Sequence, residues 1–153
     1  MVLLLAFLIG VIAGLRAFMA PAMVSLAAGL GWIHLEGTPL HFMGHIITRC
    51  IFCLGALGEL VTDKLPKTPS RKVPPQFIAR IVTGSLAGAT IGASHESLLL
   101  GLVAGAIGAV GGTLGGAEFR GRLVAAIGGK DLPIALIEDL IAILGGLLIV
   151  THV

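Results

Sequence analysis

An all-α fold is what this sequence predicts: a polytopic bundle of membrane helices forming a single integral domain over residues 1–153. Three observations carry that prediction. Apolar residues make up 56% of the chain and charged residues only 12%, against roughly half and a quarter in ordinary soluble domains. The apolar residues are gathered into about five long segments rather than alternating at period two, and the cations collect in the connections between them. With 23 glycines, no tyrosine and one tryptophan, the chain also lacks the aromatic girdles of an outer-membrane barrel. A net charge of +2, thinly scattered, argues against a nucleic-acid partner and leaves lipid as the expected one.

The first element, residues 2 to 31, is interrupted only by Arg16 and Pro21. As one helix it would run about 45 Å against a hydrocarbon core of ~30 Å, so the spacing predicts a helix broken between Gly14 and Pro21. A cleaved signal peptide ending at Ala20 is the competing reading of its first half, disfavoured by Pro21 and by the missing basic leader. Residues 32 to 42 (WIHLEGTPLHF) form a polar turn. The second element covers 43 to 63, the third 77 to 93, the fourth 97 to about 117, and the fifth 133 to 150.

Lys64, Lys67, Arg71, Lys72 and Arg80 fall in one connection and Arg120, Arg122 and Lys130 in another, eight of the ten cations in all. Cytoplasmic loops carry such an excess, so five crossings with the N-terminus inside and the C-terminus outside satisfy the pattern. A weak internal repeat lays residues 3 to 22 on 98 to 117 and ALGEL (56 to 60) on ALIED (135 to 139). Joined by one extra span, such units would form an inverted repeat, the arrangement of many transporters. Against this, Glu59 and Glu138 fall at one depth, about 8 Å inside the cytoplasmic boundary at 1.5 Å per residue. Inversion would separate them.

Gly84, Gly88 and Gly92 recur every four residues, as do Gly101 and Gly105, and then Gly108, Gly112 and Gly116. Stripes of this kind let helix backbones approach closely in lipid. Packing within one chain is the plainer reading, and a homo-oligomer interface the other.

Charged side chains at helix centres cost about 2.5 to 3.5 kcal/mol on the insertion scale and usually pair or face water. Arg16, Arg49, Glu59, Glu138 and Asp139 are such groups. Glu59 and Asp63 share a helix face at a spacing of four. If Glu59 and Glu138 faced one cavity, each would raise the other's proton affinity, the setting of a proton or cation relay. The bland alternative is a set of helix-pinning salt bridges, such as Arg16 or Arg49 with Glu59. Cys50 and Cys53 form a CxxC that reads as small apolar residues on one helix face. His34, Glu36, His41 and His45 cluster in the first loop, where interfacial histidines are ordinary and a metal site is not expected. No nucleophile and base pair, phosphate loop or dinucleotide fingerprint is present, so no cofactor is expected and an enzyme is the least favoured class.

The segments GLRAFMAPAMVSLAAGLGW (14 to 32), LGELVTDKLPKTPSR (57 to 71), IARIVTGSLAGA (78 to 89) and ALIEDLIAILGGLLIV (135 to 150) resemble the small bacterial membrane proteins grouped as domain of unknown function 4126. The resemblance spans nearly the whole chain. It implies a bacterial inner-membrane protein that retains its N-terminal segment, and it implies no activity. Arg16, Pro21, Glu59, Asp63, Lys64, Pro66, Glu138 and Asp139 match its pattern.

Together these readings predict a small transporter or channel-like protein for an ion or small solute. Its polar site is built from Arg16, Glu59 and Glu138, with Asp63 and Asp139 at the cytoplasmic mouth. A non-transporting scaffold or lipid-binding module, assembled through the glycine stripes, is the rival. A straight first helix would carry Arg16 far from both glutamates, and only a break or a re-entrant path brings them together.

Overall fold

The computed structural model describes residues 1–62, 74–129 and 132–153, which are helical with no strand among them. The helices are α1 (Val2–Leu15), α2 (Met19–Gly29), α3 (Ile46–Thr62), α4 (Pro74–Ala93), α5 (Leu98–Ala126) and α6 (Leu132–Thr151), with a short 3-10 turn at His41–Gly44 before α3. The first apolar segment therefore supplies two helices where one broken element was expected. Asp63 and the basic run from Lys64 to Lys72, with Lys130, lie outside the described residues.

The break falls at Arg16, whose backbone is extended (φ −142°, ψ 108°). Proline causes it from downstream. In a continuous helix the Pro21 ring would press on the carbonyl of Ala17, whereas in the first turn of a new helix its missing N–H is no loss. The chain then reverses. Asp139 of α6 meets Arg16, Gly145 lies against Ile12 of α1, and Gly146 lies against Met23 of α2. α6 thus runs antiparallel to α1 and parallel to α2, and the two short helices form a hairpin with its tip at Arg16–Phe18.

The other directions follow in the same way. Gly88 faces Gly101, and Gly84 faces Gly105, so α4 and α5 are antiparallel; Gly10 faces Gly105 and Gly14 faces Thr113, so α1 and α5 are parallel. Phe18 abuts Gly55 and Gly29 abuts Arg49, which makes α2 and α3 antiparallel. Two expectations are corrected. The N-terminus shares an end of the bundle with the Ser94–Ser97 turn and the C-terminus, because the hairpin returns the chain to the side it came from. An inverted repeat is also excluded, because its first helices (α1, α5) are parallel and its second (α3, α6) antiparallel, so no single rotation relates both pairs.

α5 runs 29 residues, well beyond the expected end near 117. EFRGRLVAA contains no proline, and the stop comes only at Gly128 and Gly129, both with φ near +85° to +87°, where glycine alone is unstrained. Likewise α4 starts at Pro74 rather than 77, since prolines suit first-turn positions.

The interior is built from small residues. Ala6, Ala13, Ala20, Ala87, Ala109, Ala135 and Ala142 are buried, while large side chains such as Leu54 (69% exposed), Leu99 (73%) and Leu148 (62%) point outward. α5 and α6 are each long and apolar enough to cross a membrane, and α1 and α2 are shorter apolar helices. The glycine stripes are covered inside the chain: Gly84, Gly88 and Gly92 lie on α5, and Gly108 and Gly112 lie on Phe7 and Val11 of α1. A Cβ at Gly105 would fall inside contact with the Gly84 carbonyl, whereas one at Gly111 meets nothing within 4 Å. Gly105→Ala is therefore expected to lower stability by about 1 to 3 kcal/mol through overpacking. Gly111→Ala should be neutral or raise it by up to about 1 kcal/mol. Thermal unfolding of the two purified variants checks the contrast.

Candidate functional site at the hairpin tip

A helix end leaves backbone groups without helical partners, amides at the N-terminus and carbonyls at the C-terminus, with partial charges to match. The hairpin places one end of each kind side by side at residues 14 to 18. Side chains of opposite sign from neighbouring helices complete both. Glu59 of α3 accepts hydrogen bonds from the backbone N–H of Ala17 (2.7 Å) and of Phe18 (2.8 Å), so a carboxylate caps α2 where its own N-cap residue cannot. Arg80 of α4 donates through Nη1 to the Gly14 carbonyl (2.9 Å) near the end of α1, and its Nη2 lies 3.6 Å from Glu59 Oε1.

Arg16 occupies the turn itself and is fully enclosed. Its Nε donates to Asp139 Oδ1 at 2.6 Å, its Nη2 also contacts that oxygen, and Nη2 reaches the Ala135 carbonyl at 3.5 Å. Enclosing a guanidinium without an anion would cost several kcal/mol, and the paired carboxylate offsets most of it. Arg16, Asp139, Glu59 and Arg80 thus form a buried cluster of two cations and two anions.

Arg49 belongs to the other end of the hairpin. It lies against Gly29 at the close of α2, so α3 sets a carboxylate at the positive end of the α2 dipole and a guanidinium at its negative end. Glu59 and Arg49 are ten residues apart, about 15 Å along α3, and the 11 residues of α2 span about 16 Å, so one helix matches the other's length.

The cluster differs from the expected site in its pairings. Neither Arg16 nor Arg49 bonds Glu59; its arginine is Arg80. Asp139, expected at the mouth, is the partner of Arg16, and Glu138 turns about 100° away on α6 to meet Arg120 at 3.2 Å. Glu59 and Glu138 do stand at similar levels, next to Ala17 and to the Arg16 partner respectively. They do not share the cavity of about 290 Å³ between α5 and α6, which Glu138 and Arg120 line and Glu59 does not.

Arg80 and Arg120, expected in the basic connections, stand instead on α4 and α5 and pair with Glu59 and Glu138. Spacing could have found both: Arg80 stands four residues before Gly84 and Arg120 four after Gly116, each continuing an inward glycine stripe. Cys50 and Cys53 are free thiols on α3. His34, Glu36, His41 and His45 line an open pocket of about 750 Å³ at the other end of the bundle. Among the described residues no group of three or more His, Cys, Asp or Glu could hold a metal ion.

The family model described as Domain of unknown function (DUF4126) matches residues 3–152. No curated protein matches the chain, and no solved structure does.

Because Arg16 is enclosed, Asp139→Asn is expected to destabilise the protein by about 3 to 5 kcal/mol, the cost of an uncompensated buried charge. Arg122→Gln, which removes the exposed pair with Glu118, should change stability by less than about 1 kcal/mol. Chemical denaturation of both variants separates the cases.

Proposed function

The chain belongs to the domain of unknown function 4126 family, and we propose that it is a multi-pass protein of a bacterial cytoplasmic membrane that passes a small ion or solute at the hairpin tip. Membrane placement is supported by the outward face: exposed leucines and isoleucines run along α3, α5 and α6, and contiguous exposed apolar faces mark contact with a membrane or another protein. Lys64, Lys67, Arg71, Lys72 and Lys130 fall in the connections after α3 and α5, and Arg120 and Arg122 in the last two turns of α5, so the tip end is cytoplasmic by the positive-inside rule. Both ends of the chain then face the other side.

On that placement the 14 residues of α1 reach about 21 Å into a hydrocarbon core of ~30 Å before the chain turns back. The hairpin is re-entrant, and its open backbone lies at a depth where irregular structure needs protein or water around it. The observation that carries the reading is the enclosed cluster of Arg16, Asp139, Glu59 and Arg80 at this break. Ionisable groups at membrane depth mark ion and substrate paths, and apolar residues would join the same helices as well or better. A half-helix N-terminus holding a carboxylate is also how several transporters hold anionic groups; here Glu59 takes that place with Arg80 beside it.

A scaffold role is favoured by one specific observation, the arginine beside each carboxylate: Arg16 for Asp139, Arg80 for Glu59 and Arg120 for Glu138. The double variant Arg16→Met with Asp139→Leu distinguishes the two, since it removes both charges and leaves neither stranded. Transport requires that wild-type protein in liposomes dissipate a proton, potassium or chloride gradient above protein-free background. It also requires that the double variant lose that flux while unfolding at the wild-type temperature or higher. Equal flux from both proteins, or none from wild type for these ions, favours the scaffold.

A further inference from the structure

Beside the tip, between the second half of α5 and the first turns of α6, runs a crevice of about 290 Å³ bordered by Leu15, Gly115, Phe119, Arg120, Ile134 and Glu138. We propose that it holds one acyl chain of a zwitterionic phospholipid with a primary ammonium head, the phosphate on Arg120 and the ammonium on Glu138. The inference rests on the membrane placement above and not on transport.

Three features lead there. The walls are apolar apart from the Arg120–Glu138 pair, whose atoms stand 3.2 Å apart. A cation and an anion side by side complement a head group that carries both charges, and inserting it replaces one ion pair by two without adding net charge. The size suits a chain rather than a whole lipid, since it lies at the lower edge of the roughly 300 to 1,000 Å³ of ordinary ligand pockets. A Cβ at Gly115 would meet nothing within 4 Å, so this glycine serves no close helix contact and instead leaves the wall open.

The register also agrees. Twenty helical residues cover about 30 Å, so α5, starting at Leu98, reaches the cytoplasmic boundary of the hydrocarbon near residue 118. Arg120 falls at head-group level and Gly115 within the hydrocarbon, the order in which a phospholipid presents phosphate and chain. The exposed rim formed by Phe119, Ile137 and Ile141 faces the bilayer from which the chain would enter.

Native mass spectrometry of the full chain in dodecyl maltoside, with phosphatidylethanolamine, phosphatidylglycerol or phosphatidylcholine added, tests the site. Phosphatidylethanolamine adducts should exceed the other two. Gly115→Leu should abolish them with unfolding temperature unchanged, and Arg120→Gln with Glu138→Gln should bind all three lipids alike. Head-group-blind binding by wild type, a preference for phosphatidylglycerol, or full retention in Gly115→Leu would overturn the site while leaving the membrane placement intact. Recovery of wild-type protein without detergent would overturn the placement and the site together.

Discussion

Arg16 has no exposed surface, and a guanidinium so enclosed can persist only if its charge is met where it stands. Much of the bundle is arranged around that requirement. α6 brings Asp139 to the guanidinium, and the Ala135 carbonyl adds a further acceptor one turn earlier. Reversal of the chain at Arg16 exposes two helix ends, and Glu59 and Arg80 supply the charges those ends call for. Three further helices, α3, α4 and α6, are thereby tied to the turn that joins α1 and α2.

Close backbone packing makes this geometry reachable. α1, α4 and α5 touch through Gly10, Gly84, Gly88, Gly101 and Gly105, so the hairpin lies near enough to α4 for Arg80 to reach the Gly14 carbonyl. Side chains of any size in these stripes would hold the helices apart and strand the tip. The cost of so many glycines is a core poor in large hydrophobic contacts. The leucines and isoleucines that would fill a soluble core lie on the outside.

Much of the fold was legible because its cause is local. Pro21 forbids a continuous first helix wherever the rest of the chain lies, and glycines four apart share a face in any helix. The ends of α4 and α5 are less legible, because apolar character fades before the backbone leaves the helix; Pro74 permits an earlier start, and nothing before Gly128 stops α5. The candidate site was legible as a set of unusual charges and not as a set of pairs. Glu138 and Asp139 are adjacent in sequence with identical chemistry, and only the rotation of α6 decides which of them faces Arg16. Arg80 and Arg120 were hidden by their nearness to basic connections, although each sits in phase with a glycine stripe.

By itself the sequence determined the all-helical class, the break near Arg16, the faces along which helices approach, and the charges that would need partners. Each follows from short-range sterics, periodicity or the cost of desolvation, which do not depend on where distant segments lie. The tertiary structure alone decided that the chain reverses at the break, that both termini share an end, and which arginine meets which carboxylate. Those outcomes depend on helix direction and on rotation about each helix axis, and a residue a hundred positions away, such as Asp139 for Arg16, enters only when packing brings the two together.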